Sequence, residues 1–223
     1  MEKAFEKYAK AMESDWSKAF IRRVMWIDME ERIKTVFAKI EHSELASRYG
    51  NLYLHEGLHF NAKKFYVTQR LNQIQVSCGM RLLGLNGVDV DGNQPKKKIR
   101  MEKNAALWFS QSASGGVMVF VAPYKSEVVS MNEENIVIGH YKDPSKLSEK
   151  KLKKLFSIFF HYLSITSAIH HQSPIDYIWR LWLTFLDVRT KKLDKVFGGA
   201  NGFTIFLGAL VTVLAYFIKS SQS

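Results

Sequence analysis

Along the first 49 residues, apolar positions recur at steps of three and four. They fall at Phe5, Tyr8, Met12, Trp16, Ala19, Phe20, Val24 and Ile27, and resume at Ile33, Val36, Phe37 and Ile40. That is the spacing of one helix face. No glycine or proline interrupts it before Gly50, so the pattern predicts one long helix or two in succession. Acids and bases alternate over the remaining positions, as on a solvated face. Because the heptad is irregular, packing against the rest of the chain is expected rather than a coiled coil.

From Leu52 the period shortens to two. Leu52, Leu54, Leu58 and Phe60 fall on one side, with Tyr53, His55, Gly57 and His59 on the other, which predicts a strand. Phe65 to Gln69 and Gln73 to Cys78 continue in β-type composition. Arg81 to Leu85 then leads into Asn86-Gly87, and Asp91-Gly92 follows. Both pairs are turn formers, so residues from there to about Lys98 read as a polar loop. Ala106 to Ser110 and Val117 to Ala122 flank Ser112-Ala113-Ser114-Gly115-Gly116 and read as a hairpin, with a last strand over Asn135 to Tyr141.

Helical spacing returns after Pro144. Leu152, Leu155, Phe156, Phe159, Phe160 and Leu163 form a stripe with Ser148 as a candidate N-cap. A second helix starts at Ser173, with Pro174 at its first position and Asp176 in its first turn, and carries Ile178, Trp179, Trp182, Phe185 and Leu186. Gly198 to Ile218 is then a run of 21 residues without a charge. As a helix it would reach roughly 31 Å, enough for the ~30 Å hydrocarbon core of a bilayer.

The pattern as a whole predicts an α+β chain. Its parts are an N-terminal helix or helix pair (1–49), a head (50–197) with an antiparallel sheet of five to seven strands and two C-terminal helices, one transmembrane helix (198–218) and a short tail (219–223). No signal peptide is recognisable in the first 30 residues. The head is therefore expected in the cytoplasm, with the chain tail-anchored and single-pass.

Charge sharpens this picture. The net +11 is divided as nine bases against eight acids in residues 1–43, thirteen against nine in 44–146, and ten against four in 147–223. Arg189, Lys191, Lys192 and Lys195 precede the uncharged run and only Lys219 follows it, the asymmetry that keeps a head on the cytoplasmic side. Two clusters are candidates for anion binding: Lys96, Lys97, Lys98 and Arg100, and Lys150, Lys151, Lys153 and Lys154. The second lies in the first turns of a helix, where cations oppose the macrodipole by about 0.3–1 kcal/mol each. Folding does not ask for them there. The partners expected are anionic inner-leaflet lipid, another anionic ligand or a protein. Nucleic acid is less favoured, because no aromatics interleave with the lysines.

Within the uncharged run, Thr204, Gly208, Thr212 and Ala215 form a small-residue stripe. Such stripes let membrane helices approach closely, so a homo-oligomer built through them is expected. The active form of this reading is a membrane-perturbing effector.

Catalytic motifs are scarce. His55-Glu56-Gly57-Leu58-His59 matches H-E-x-x-H, whose zinc chemistry needs both histidines on one helix face. On a strand their Cα atoms would stand about 13 Å apart. A membrane-tethered zinc peptidase is thus the alternative reading and a membrane-tethered nucleic-acid binder the second. No cofactor or metal is expected in the leading one. Asp89, Asp91 and Asn93 imitate a calcium loop, but its glycine is misplaced and Arg100 stands where the last carboxylate belongs. Cys78 is the only cysteine and reads as a core residue.

Overall fold

The computed structural model describes residues 1–57, 67–68, 71–91, 94–128 and 135–187. The chain divides into two units, 1–170 and 171–223. Helices, antiparallel sheets and C-terminal helices follow in the order expected of an α+β chain.

The N-terminal segment is a helix pair, α1 (Glu2–Val24) and α2 (Trp26–Glu41). Their junction at Met25 contains neither glycine nor proline and Met25 itself stays helical, at φ −63° and ψ −14°. Burial separates the two instead. α2 buries Trp26, Met29, Ile33, Val36 and Phe37, whereas α1 buries no residue. The expectation that the whole apolar stripe packs inward is therefore corrected for Phe5, Tyr8, Met12 and Trp16, which are all exposed.

Unit 1 is built on a five-stranded antiparallel sheet in the order β1 (Leu52–Glu56), β2 (Gln73–Cys78), β5 (Ala106–Gln111), β6 (Val117–Ala122), β8 (Ile136–Tyr141). One face carries Ile74, Val76, Leu107, Phe109, Val117, Val119 and Val121, all buried. α2 and α3 (Glu149–Thr166) pack against each other and onto this sheet. α3 contributes Leu152, Leu155, Phe156, Phe159, Tyr162 and Leu163. Burial of side chains this large is worth about 1.5–3 kcal/mol each, and that gain fixes the register of alternation on every strand.

A second sheet holds β3 (Arg81–Asp91), β4 (Gln94–Lys103) and β7 (Lys125–Ser126). The described strands thus number eight in two sheets, where five to seven in one were expected. The polar loop read over residues up to Lys98 is instead a strand, and Asn86-Gly87 is not a turn but lies inside β3, paired with Ile99 and Lys98. The irregularity falls earlier, between Leu82 and Asn86, where Gly84 takes φ +69°. At its root the ribbon is tied by Glu102. This fully buried carboxylate accepts from the Ser167 hydroxyl at 3.0 Å, from the Ala168 amide and from Arg81 at 3.4 Å.

Polar groups also hold α1 to the sheet. Buried Asn72 donates to the Val67 carbonyl at 2.8 Å and to Gln111 Oε1 at 2.7 Å, and Gln111 donates in turn to the carbonyls of Arg22 and Gly115. Gly115 takes φ +80° in the hairpin between β5 and β6, and a Cβ there would meet Ala19 and Arg22 of α1. The hairpin expected at Ser112 to Gly116 is present, and α1 rests its last turn on it. Val67 and Thr68 form part of a helical turn rather than the β segment expected over Phe65 to Gln69, whose other members lie outside the described residues.

In unit 2, α4 (Pro174–Leu186) starts at the predicted cap. The Ser173 side chain accepts from the Asp176 amide, and Asp176 accepts from the Ser173 amide at 3.0 Å. Among the described residues no helix is long and apolar enough to cross a membrane. The candidate span 198–218 lies outside them, together with Thr204, Gly208, Thr212 and Ala215.

Candidate anion-binding surface

The α3 cluster is assembled by the turn that precedes it. Asp143 accepts from the Ser145 amide at 2.8 Å and caps a 3-10 turn over Pro144–Lys146; that bond holds its carboxyl below the usual range. Leu147, fully buried, pins the chain to the core, and Ser148 occupies the N-cap position of α3 without a side-chain cap bond. The lysines then have no inward choice. With Leu152, Leu155, Phe156 and Phe159 committed to the core, Lys150, Lys151, Lys153 and Lys154 project from the outer side, and all four are exposed.

Among the described residues Glu149 is the carboxylate bonded to the lysines of the cluster. Glu149 bonds Lys39 of α2 at 2.7 Å and Lys153 at 2.9 Å, and these two hydrogen bonds lower its pKa to about 2. The Lys151 ammonium lies over the Tyr141 ring, 5.8 Å from its centroid. Among the described residues no carboxylate lies within ion-pair distance of Lys150 or Lys154. These two are i,i+4 neighbours on the helix, where like charges repel by a few tenths of a kcal/mol. The fold also brings in lysines that the cluster's sequence does not announce. Lys142 and Lys146, both exposed, flank the capping turn, and Lys39 arrives from the end of α2. Lys142 and Lys146 were visible as near neighbours of the α3 run. Lys39, more than 100 residues away, was not.

The β4 cluster is in a different state. Lys98 and Arg100 both bond Glu127, each at 2.7 Å, and the pair holds the Glu127 carboxyl below its ordinary pKa. The Arg100 guanidinium occupies the space that a Cβ at Gly87 would fill. Lys97 is exposed on the opposite face of the ribbon with Val88 and Ile99, and Lys96 is the register partner of Asp89. The two clusters are not brought together. Glu102, two residues beyond Arg100, meets the C-terminal end of α3, and the intervening helix puts roughly 18–24 Å between that end and the lysines at the other.

His55 and Glu56 lie on strand β1, as the alternation predicts. His55 Nε2 bonds the Ser77 hydroxyl at 2.7 Å. Glu56 turns to the other face and meets Lys34 at 2.8 Å. Burial opposes the charge on Lys34, but bonds to Glu56 and Glu30 outweigh it and raise its pKa. His59 lies outside the described residues. Among the described residues no three His, Cys, Asp or Glu side chains come together as a metal site. Cys78 is buried beside Tyr124, and burial pushes its thiol up to about 12.

No known protein family, characterised protein or solved structure matches this chain. Its function has to be argued from this surface.

Proposed function

We propose that the chain is held at a membrane by the uncharged run 198–218 and that its head docks on an anionic membrane surface through the amino end of α3. One observation carries this. Lys150 and Lys151 sit in the first turn, where the helix dipole disfavours them, Lys150 and Lys154 repel each other at i,i+4, and the nearby carboxylate is already shared by Lys39 and Lys153. An anion supplied from outside gives that arrangement its stabilising partner. Inner-leaflet lipid fits because Arg189, Lys191, Lys192 and Lys195 precede the candidate span, and basic residues near such a leaflet are worth about 1 kcal/mol each. In this reading the protein is not an enzyme. It self-associates through Thr204, Gly208, Thr212 and Ala215, and a membrane-perturbing effector is its active form.

The test uses the full chain in vesicles of phosphatidylcholine alone, with its head outward, and follows capture of labelled acceptor vesicles containing phosphatidylglycerol. Lys150→Glu with Lys154→Glu should abolish capture, while the same charge change at Lys3 and Lys7 of α1 should not. Undiminished capture by the α3 double variant would defeat the proposal. Displacement of acceptor vesicles by duplex or single-stranded nucleic acid, with a steep salt dependence, would transfer the surface to that partner. Self-association is tested separately. Gly208→Leu should reduce the mass of the detergent-solubilised particle and Leu210→Ile should not.

A further inference from the structure

α1 carries its apolar stripe uncovered. Phe5, Tyr8, Met12 and Trp16 fall within about 80° of one another around the helix, and they are 77%, 65%, 74% and 71% exposed. Only the last turn is held. Arg22 and Arg23 donate to the carbonyls of Ser114 and Ala113 in the hairpin between β5 and β6, and Arg23 donates also to that of Thr68. From Glu2 to Trp16 the helix runs on for roughly 21 Å, and no residue of it is buried. Steps of three, four, four and three take the stripe from Phe5 to Ala19. That is an 11-residue period, which favours a shallow right-handed pairing over the left-handed coil of heptads. The charges follow the same period. Glu2 and Glu13 stand on one flank of the stripe, Lys7 and Lys18 on the other. Lys7 leans over the Tyr8 ring, 5.9 Å from its centroid, and Glu2 and Glu13 make no ion pair among the described residues. Asp15, an acid on the basic flank, lies 3.9 Å from Lys18.

We infer that α1 is a self-association arm, its stripe packed against that of a second copy of this chain with the two helices parallel. The polarity follows from the flanks. Parallel helices bring the acidic flank of each copy to the basic flank of the other, whereas antiparallel helices bring like flanks together. The area suffices as well. At ~150–250 Å² for a whole aromatic side chain, covering the exposed parts of Phe5, Tyr8, Trp16, Phe20 and Met12 would bury roughly 600 Å² per copy. Two copies then reach about the 1,200 Å² at which stable specific interfaces begin. An anionic membrane is the poorer occupant, because residues 2–16 carry four acids against three bases and an interfacial helix is rich in Lys and Arg. This contact lies in the head and is independent of the one proposed for the span.

Cys78 leaves the test clear, since it is buried and its thiol is pushed up to about 12. Tyr8→Cys and Trp16→Cys, each in the full chain in detergent, would be treated with a short bifunctional maleimide, with Lys10→Cys on the far side of the helix as comparison. In a parallel pair each of the first two positions meets its own copy. Both should therefore give covalent dimer about tenfold or more faster than position 10, as the effective concentration within a helix pair requires. Two positions keep the test decisive if one variant folds poorly. Glu2→Lys with Glu13→Lys, in the Tyr8→Cys chain, should lower the yield roughly tenfold, the scale of a few exposed ion pairs on each copy. Mixing that chain with one carrying Lys7→Glu and Lys18→Glu should restore a mixed dimer, which a variant that merely frays would not do. Products at 8 and 16 no more abundant than at 10 would overturn the inference. So would a product that forms only when the Tyr8→Cys and Trp16→Cys chains are mixed, the mark of antiparallel helices. Contact through the span brings all three positions equally near, so Gly208→Leu should lower the three yields alike and leave their order unchanged.

Discussion

Two runs of basic residues of nearly equal composition end in opposite electrostatic conditions. On β4, Lys98 and Arg100 share Glu127 and Arg100 is seated on Gly87; two of that run's four cations are paired from within. On α3, Lys150 and Lys154 have no carboxylate within ion-pair distance among the described residues, and Glu149 is divided between two other lysines. The difference is where the acid stands. Glu127 arrives from β7 and its flank, brought by strand pairing, whereas among the described residues no second carboxylate comes within ion-pair distance of Lys150 or Lys154. A basic run therefore marks a binding surface only after the tertiary partners are counted.

The contrast is most strongly tested by charge reversal at α3. Removing two lysines at about 1 kcal/mol each should weaken capture of anionic vesicles about 30-fold, and reversal should exceed that. Acids in the first turn suit the helix dipole, so the melting temperature should stay level or rise. A fall in both stability and capture would mean that the lysines serve the fold.

A smaller effect of opposite sign is expected on β4. Glu127→Gln removes the charge that Lys98 and Arg100 share and should tighten capture about fivefold, the equivalent of one elementary charge. If capture is unchanged, the ribbon does not approach the acceptor surface. Gly87→Ala should act in the same direction but less, because the added methyl displaces only the Arg100 guanidinium and leaves Lys98 in place.

The smallest effect is in acid. The folded pKa of Glu149 is about 2 against an ordinary 4.5, and Glu127 is also lowered. Their contribution to stability is thus complete above the ordinary carboxylate range and is lost as pH falls through the folded values. Glu149→Gln should flatten the decline in melting temperature between pH 4.5 and about 2 and change nothing near pH 7. A difference at neutral pH as large as that in acid would contradict the assignment of Glu149 as a bridging carboxylate.

What could be read from the sequence follows the same division between local and distant causes. The stripe of α2, the strand at Leu52 to Glu56, the hairpin around Gly115 and the Ser173 cap are local patterns, and each has its counterpart in the structure. β4 was hidden because its ribbon buries little on either side, so no alternation marks it, and Asn86-Gly87 imitates a turn. The positively charged residues of the candidate site were legible. The pairing of Lys98 and Arg100 with Glu127 and the arrival of Lys39 depend on contacts made across the fold.

α1 resembles α2 in pattern but has no buried residue, and only its last turn meets the hairpin through Ala19, Arg22 and Arg23. Isolated helices of fewer than ~12–15 residues are marginal in water, so within a single copy the turns before Ser17 persist only by propagation from that clasp. In the monomer, amide hydrogen exchange should therefore fall into two time regimes within one helical stretch. Residues 2–17 should exchange by fraying, and residues 26–37 only when the core opens. Loosening the clasp with Gly115→Val should speed the first regime and extend it toward Val24, which would make the first helix a lever whose order is set at one end.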